Sequence, residues 1–370
     1  MNLYPLILAW KRMEWLALAA AAALAVIGIL FIYSASYRQD DMQVTAMTLR
    51  QLVWVVLGMG VMLALAAADY RRVAAVAPVL YGASLLLLAL VLGFGRTMYG
   101  ATRWLNVFGI YLQPSEFAKI ASILLLARYL AEPGRNFARP QVIALAALIV
   151  AVPMALVMRQ PDLGTALTFA PMFLAMLFVG GMPIRYAIVL VFLGAVTAVP
   201  GWFLLSDYQR ERILVFLDPS RDPLGSGWNS IQSSIAVGSG GLFGKGYLMG
   251  TQNVLGFLPR TVAPTDFIFS VIAEETGFVG SVTLLTLYAI LLGGVVRAGI
   301  ASRDKLGRLI ATGVATLLFC HIFVNLAMTV GLMPITGLPL PLVSYGGSFM
   351  ITATAGLGLA QSIYVRRVRR

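Results

Sequence analysis

The sequence predicts an all-α integral membrane protein of about ten transmembrane helices, with one large extracytoplasmic loop between helices 7 and 8. Three observations lead there. Of 370 residues, 60% are hydrophobic and only 11% charged, against about 25% charged in a soluble domain, too few to cover a water-facing surface. Apolar runs of about 20 residues, the length that spans a bilayer, recur at 14–33, 48–68, 75–95, 114–131, 141–158, 163–181, 185–205, 266–296, 308–332 and 347–365. The basic excess is also one-sided. With ten spans both termini share a face, and that face collects 16 of the 27 Lys and Arg but four of the 15 Asp and Glu. It therefore carries the whole formal charge of +12, and everything else sums to zero. Positive charge marks the cytoplasmic side, so both termini are expected in the cytoplasm and the loop 207–265 outside. Residues 1–370 read as a single polytopic membrane domain. Basic charge of this kind anchors helices to anionic lipid; a soluble domain with a basic stripe and stacking aromatics, the mark of nucleic-acid binding, is missing.

Taken in order, the run Trp15 to Ile32 follows Lys11 and Arg12, and Ser34-Ala35-Ser36 resembles a cleavage site. It exceeds the roughly 7–15 apolar residues of a signal peptide and more spans follow, so it reads as a retained first helix. Helices 2 and 3 flank the cytoplasmic Arg71 and Arg72. Arg103-Trp104-Leu105 falls in the outer loop before helix 4, where Arg103 is either a bidentate phosphate binder or an interfacial anchor. Pro114 suits a helix start, and Glu116 and Lys119 lie i,i+3, so they can pair on one face. An ionisable group at membrane depth is costly unless paired or hydrated, which makes each a functional candidate. Asp162, at the start of helix 6, either caps that helix or meets a ligand.

The outer loop, about residues 207–265, is far longer than an ordinary connection. Tyr208 to Arg212 leads into Ile213 to Leu217, a short amphipathic stretch suited to the membrane surface, and Ile231 to Val237 is a semi-apolar helix candidate. The run Gly238 to Gly246, with Lys245, is either a flexible linker or a backbone cradle for an anion; its spacing is not that of a Walker A motif. Thr265 and Asp266 stand at the mouth of helix 8. Either could cap it, but Asp266 could also be a partly desolvated general base. Glu274 and Glu275 are offset round that helix, so at least one is expected to pair or pack. Helix 8 is long enough to tilt or extend beyond the bilayer. His321 and Asn325, i,i+4 on helix 9, predict a buried interhelical hydrogen bond. The segment Pro334 to Ser348, with three prolines, must dip into protein or a wet cavity, because irregular backbone survives nowhere else at membrane depth. A single cysteine, Cys320, and a single histidine exclude an intramolecular disulfide and a Cys/His zinc site. Any metal would need carboxylate, carbonyl or phosphate ligands, as a divalent cation such as Mg or Mn does.

Jointly, Arg103-Trp104-Leu105, Gln113 to Lys119, Gln160 to Thr165, Asp222 to Gly225, Ile235 to Gly246, Thr265 to Phe269 and Pro339 to Ser348 resemble the SEDS family (shape, elongation, division and sporulation), its elongation type more than its division type. The resemblance covers most of the chain after about residue 96. It implies a peptidoglycan glycosyltransferase that joins the 4-hydroxyl of one lipid II sugar to the anomeric carbon of another, releasing undecaprenyl diphosphate. It also implies Asp266 as the essential acid, and Glu116, Lys119 and Arg103 as matches to the family's acid–lysine pair and arginine. A class B penicillin-binding transpeptidase and the rod elongation complex are the partners it implies. The segment Leu258 to Thr265 departs from the elongation pattern: it is longer and carries Pro264 where a histidine is usual.

The chemistry is consistent with these residues. A sugar hydroxyl needs a base, which Asp266 supplies. A diphosphate leaves without an acid but needs positive charge, from Arg103, Lys119, Arg212, Lys245 or a divalent ion. Asp162, Glu116, Thr265 and Ser344 complete the expected substrate-binding set. The competing reading is a flippase or transporter for a lipid-linked precursor.

Overall fold

The structure, a computed structural model, describes residues 11–37, 46–98, 101–107, 109–135, 137, 139–259 and 261–367. Arg260, Arg369 and Arg370, which enter the sequence reading, lie outside them. Among the described residues fourteen α-helices are delimited: α1 (Trp15–Ser36), α2 (Ala46–Ala67), α3 (Tyr70–Ala75), α4 (Ala77–Phe94), α5 (Pro114–Ala131), α6 (Pro140–Arg159), α7 (Leu163–Val179), α8 (Ile184–Leu204), α9 (Asp207–Leu217), α10 (Ser226–Ser239), α11 (Thr251–Val254), α12 (Ile268–Ile300), α13 (Lys305–Thr329) and α14 (Gly347–Val365). Each of the ten apolar runs is a helix, with ends shifted by a few residues. Among the described residues eight helices are long and apolar enough to cross a membrane. The other two fall short for visible reasons. Helix α5 carries Glu116, Lys119 and Arg128, and α7 has 17 residues.

The fold is not wholly helical. Residues 96–112 form a small antiparallel meander, β1 (Arg96–Met98), β2 (Ala101–Val107) and β3 (Ile110–Leu112). Two of these strands have three residues, too few to show a period of two, and Ala101–Val107 does not alternate apolar with polar residues, so the sequence shows only a loop there.

Helices α5, α12, α13 and α14 form the inner bundle, with α2 packed on α14, α1 on α12, and α7 on α13. Nearly every residue of α14 is buried. Its small residues allow close backbone approach: a methyl on Gly358 would stand 2.6 Å from the Met62 carbonyl. Helix α8 lies at the rim, and none of its described side chains is buried.

At one end of the bundle the segments the charge argument assigns to one face meet. Arg297 pairs with Glu14 (2.6 Å), Arg71 with Asp304 (2.7 Å), and Arg366 approaches Asp69 (3.9 Å). The Tyr70 hydroxyl donates to Asp304 (2.9 Å), and burial pushes this phenol up to about 12.

At the other end the long connection between α8 and α12 is ordered. Ser206 and Gln209 form a capping box for α9. The glycine run docks on α12, where Gly277 (φ +68°) breaks the helix. Lys245 N donates to Glu274 O and Gly246 N to Glu275 O, both 3.0 Å, while Phe278 N donates to Gly241 O at 2.9 Å. Gly244 (φ +78°) is required there, because a methyl would fall 2.1 Å from the Glu275 carbonyl. The run is thus a docked turn rather than a flexible linker, and these amides are committed to α12 rather than to an anion.

Candidate active site

The turn before α12 carries Asp266. Backbone N–H groups of Thr265, Asp266 and Phe267 all donate to Val262 O, winding the chain so that α12 starts with Phe267 as its N-cap and no side-chain cap bond. The Thr265 hydroxyl donates to Val262 O (3.1 Å). Neither Thr265 nor Asp266 caps the helix, so the carboxylate is left for other work.

Asp266 is half-buried. Burial raises its pKa; the Arg212 and Arg103 guanidiniums pull it back, and Asp162 adds to the rise. No cation forms an ion pair with it among the described residues. Gly337 (φ +74°) lies beside it: a methyl there would be 3.5 Å from Asp266 Oδ2 and 3.9 Å from Arg212 Nη1. Tyr208, one turn back on α9, holds Arg212 by a hydrogen bond and a stacked contact 4.6 Å from the ring centroid.

Asp162 both caps α7 and binds neighbours. One oxygen accepts from Thr165 N (3.2 Å) and stands 3.6 Å from Arg103 Nη1; the other accepts from the Gln113 amide (3.2 Å). Arg103, on β2, also donates to Pro161 O (2.8 Å), and its buried Nε–H has no hydrogen-bond partner. Gly164 in the same motif is a close-approach residue, because a methyl would meet Thr336 O at 2.7 Å.

The irregular segment after α13 is satisfied by protein, as expected. Ser344 Oγ donates to Thr265 O (2.6 Å) and accepts from Leu340 N (2.8 Å). Tyr345 N donates to Pro264 O (2.9 Å), Tyr288 OH to Pro341 O (2.7 Å), and Gln51 Nε2 to Ser344 O (3.3 Å). His321 makes the expected buried interhelical contact, with Lys119 on α5 (2.8 Å), and both His321 and Asn325 bond to this segment.

The structure therefore gathers Arg103, Asp162, Arg212, Thr265 and Ser344 around Asp266. Glu116 and Lys119 are paired at 3.0 Å as expected but fully buried. Lys245 pairs with Glu274 (2.6 Å), where Thr251 Oγ1 and Gln252 N also donate. Glu275 accepts from Ser34 (2.5 Å) and Leu248 N (3.1 Å). Both glutamates thus serve pairing. Tyr208 and Gln113 orient their charged neighbours, and sequence reasoning gave them no such role. Their only signal is adjacency, one turn from Arg212 and next to Pro114.

For a divalent cation the donors are few. Among the described residues no three His, Cys, Asp or Glu side chains cluster. Asp162 is already engaged on both oxygens, whereas Asp266, among the described residues, has no ion pair and only the Thr265 side chain as a hydrogen-bond partner of its carboxyl.

A many-helix membrane protein with a carboxylate and two guanidiniums gathered at one end of its bundle is the class these features define. The family model described as a cell cycle protein family, FtsW/RodA/SpoVE, matches residues 14–368, and the chain belongs to that family. It is 41% identical over 348 residues to the peptidoglycan glycosyltransferase MrdB of Escherichia coli (strain K12), covering 93% of this chain and 91% of that one. It is 38% identical to the peptidoglycan glycosyltransferase RodA of Treponema pallidum, covering 96% and 98%. Among solved structures it superposes on the rod shape determining protein RodA of Thermus thermophilus with TM-score 0.72 at 34% identity, covering 98% and 99%. A chain of a peptidoglycan synthase complex, described as coordinating polymerization and crosslinking, superposes with TM-score 0.79 at 37% identity, covering 95% and 97%.

Proposed function

We propose that this chain is a peptidoglycan glycosyltransferase that polymerises lipid II into glycan strands for cell elongation, with Asp266 as general base. The observation that carries the mechanism is the carboxylate of Asp266, half-buried, free of an ion pair, and flanked by Arg212 and Arg103. Burial raises its pKa towards the working range of a base. Asp266 takes the proton of the acceptor 4-hydroxyl. That oxygen bonds to the donor's anomeric carbon as the carbon–oxygen bond to diphosphate breaks, with inversion. The electron pair leaves on undecaprenyl diphosphate, whose charge Arg103 and Arg212 receive. Asp162 and Gln113 aim Arg103; Thr265 and Ser344 hold the turn that carries Asp266. Among the described residues Asp266 is the side chain that would hold a Mg or Mn ion, together with the substrate's own phosphates, and such an ion would offset the diphosphate's charge.

The charge asymmetry supports cytoplasmic termini in a bacterial inner membrane and an extracytoplasmic site. The partner assigned is a single-pass class B penicillin-binding transpeptidase within the rod elongation complex; the likeness to a chain of a peptidoglycan synthase complex supports this. The test is gel analysis of labelled lipid II in detergent with wild type and Asp266→Ala, each with and without the transpeptidase. Ladders from wild type alone are expected. No ladder from either protein, with partner and divalent ions supplied, would favour a lipid-precursor flippase.

A further inference from the structure

Behind Asp266 runs a chain of buried polar contacts that the reaction above does not use. Lys119 Nζ stands 3.0 Å from Glu116 Oε1 and 2.8 Å from His321 Nε2. His321 Nδ1 is 3.1 Å from Pro339 O. One turn along α13, Asn325 Nδ2 donates to Leu338 O (2.8 Å) and to Asp266 O (3.0 Å). None of these four side chains exceeds 2% exposure.

The proton positions follow from donor chemistry. An ammonium only donates, so His321 Nε2 accepts and Nδ1 carries the hydrogen given to Pro339 O. The ring is also stacked on Phe349, centroids 4.2 Å apart. Both partners of the Asn325 amide are carbonyls, which fixes its NH2 towards them and leaves Oδ1 unpaired.

We infer that His321 and Asn325 are positioning residues for the reaction at Asp266, an inference that rests on the general-base reading. Among the described residues Asp266 has no ion pair, which leaves its aim to the Thr265 side chain and to its own backbone. Asn325 ties the Asp266 carbonyl to residue 338, the neighbour of Gly337, beside which the carboxylate and Arg212 both lie. His321 ties the next carbonyl, of Pro339, to the Glu116–Lys119 pair. That pair thereby acts through the backbone instead of on substrate, from which its burial removes it.

The test measures kcat and KM for lipid II polymerisation by the full-length protein with its transpeptidase. Asn325→Leu and His321→Leu are expected to lower kcat by about 10–100-fold, the cost of a misplacement of about 1 Å, with KM little changed. His321→Gln, which keeps an acceptor and a donor, is expected to restore most of the rate. Ser233→Ala is the control: its buried hydroxyl contacts Ser270 and Thr329, and its loss should change stability without changing kcat. With one histidine in the chain, a 15N-histidine spectrum of the wild type should show a single ring protonated on Nδ1. A folded Asn325→Leu with wild-type kcat, or a ring protonated on Nε2, overturns the inference, and the spectrum decides even if the variants misfold. An inactive Asp266→Asn beside a fully active Asn325→Leu would sink positioning alone; an active Asp266→Asn would sink the general base as well.

Discussion

Replacing Lys119 by methionine removes the cation paired with the buried carboxylate of Glu116. Lys119 is 0% and Glu116 2% exposed, and the ammonium lies 3.0 Å from both carboxylate oxygens. Removing one member of such a pair costs about 3–5 kcal/mol, whereas replacing both by neutral groups of similar volume is often neutral. Lys119→Met should therefore lose about 3–5 kcal/mol, and Glu116→Gln/Lys119→Met should recover most of it. At about 2–4 °C per kcal/mol for a medium-sized domain, the single variant should melt roughly 6–20 °C below wild type. The assay is thermal unfolding of the detergent-purified protein, followed by tryptophan fluorescence. A single variant that melts with the wild type, or a double variant no better than the single, would refute the reasoning. Kinetics on the double variant then separate two roles. Loss of the Lys119–His321 contact should lower kcat, whereas a lysine that gripped substrate would raise KM.

Three further outcomes follow from the same geometry. The acid limb of kcat/KM should lie above the ordinary carboxylate range, because activity is lost as pH falls through the raised Asp266 pKa; Arg212→Gln should move it higher still, and a limb that does not move would remove Arg212 from the site. A raised carboxyl pKa also means that stability declines as pH rises from the ordinary carboxylate range through the raised value. Asp266→Asn lacks that decline, so it should melt above wild type at pH 7, with the gap closing on acidification, while its polymerisation rate falls by about 10²–10⁴-fold; equal melting at both pH values counts against the burial penalty. Lys245→Met should expose residues 245–252 to limited proteolysis, because Glu274 loses its partner, and Glu274→Gln/Lys245→Met should protect them again; a higher KM with unchanged proteolysis would instead return Lys245 to substrate.

Much of this was legible in the sequence. The helices follow from apolar run length, and the Glu116–Lys119 pair from i,i+3 spacing. Asp162 as a cap followed from its place before an apolar run. The meander at 96–112 was not legible, because two of its strands have three residues and the seven-residue strand does not alternate apolar with polar side chains. Lys245 looked free for a phosphate because nothing local shows that Glu274, 29 residues on, folds back to meet it. His321 and Asn325 stood out as a polar pair on an apolar helix, but apart from Lys119 their partners are backbone carbonyls, which leave no trace in residue identity.

By itself the sequence determined the solvent of this protein, the order of its apolar helices and the face on which its basic residues accumulate. These are properties of composition and near-neighbour spacing, which the chain carries before it folds. Tertiary structure alone decided which charges share a site. Arg103 on a strand, Asp162 at a helix cap, Arg212 on a surface helix and Asp266 on a turn come together only through packing between distant segments. Electrostatic work falls off over a few ångströms, so it depends on separation in space rather than along the chain.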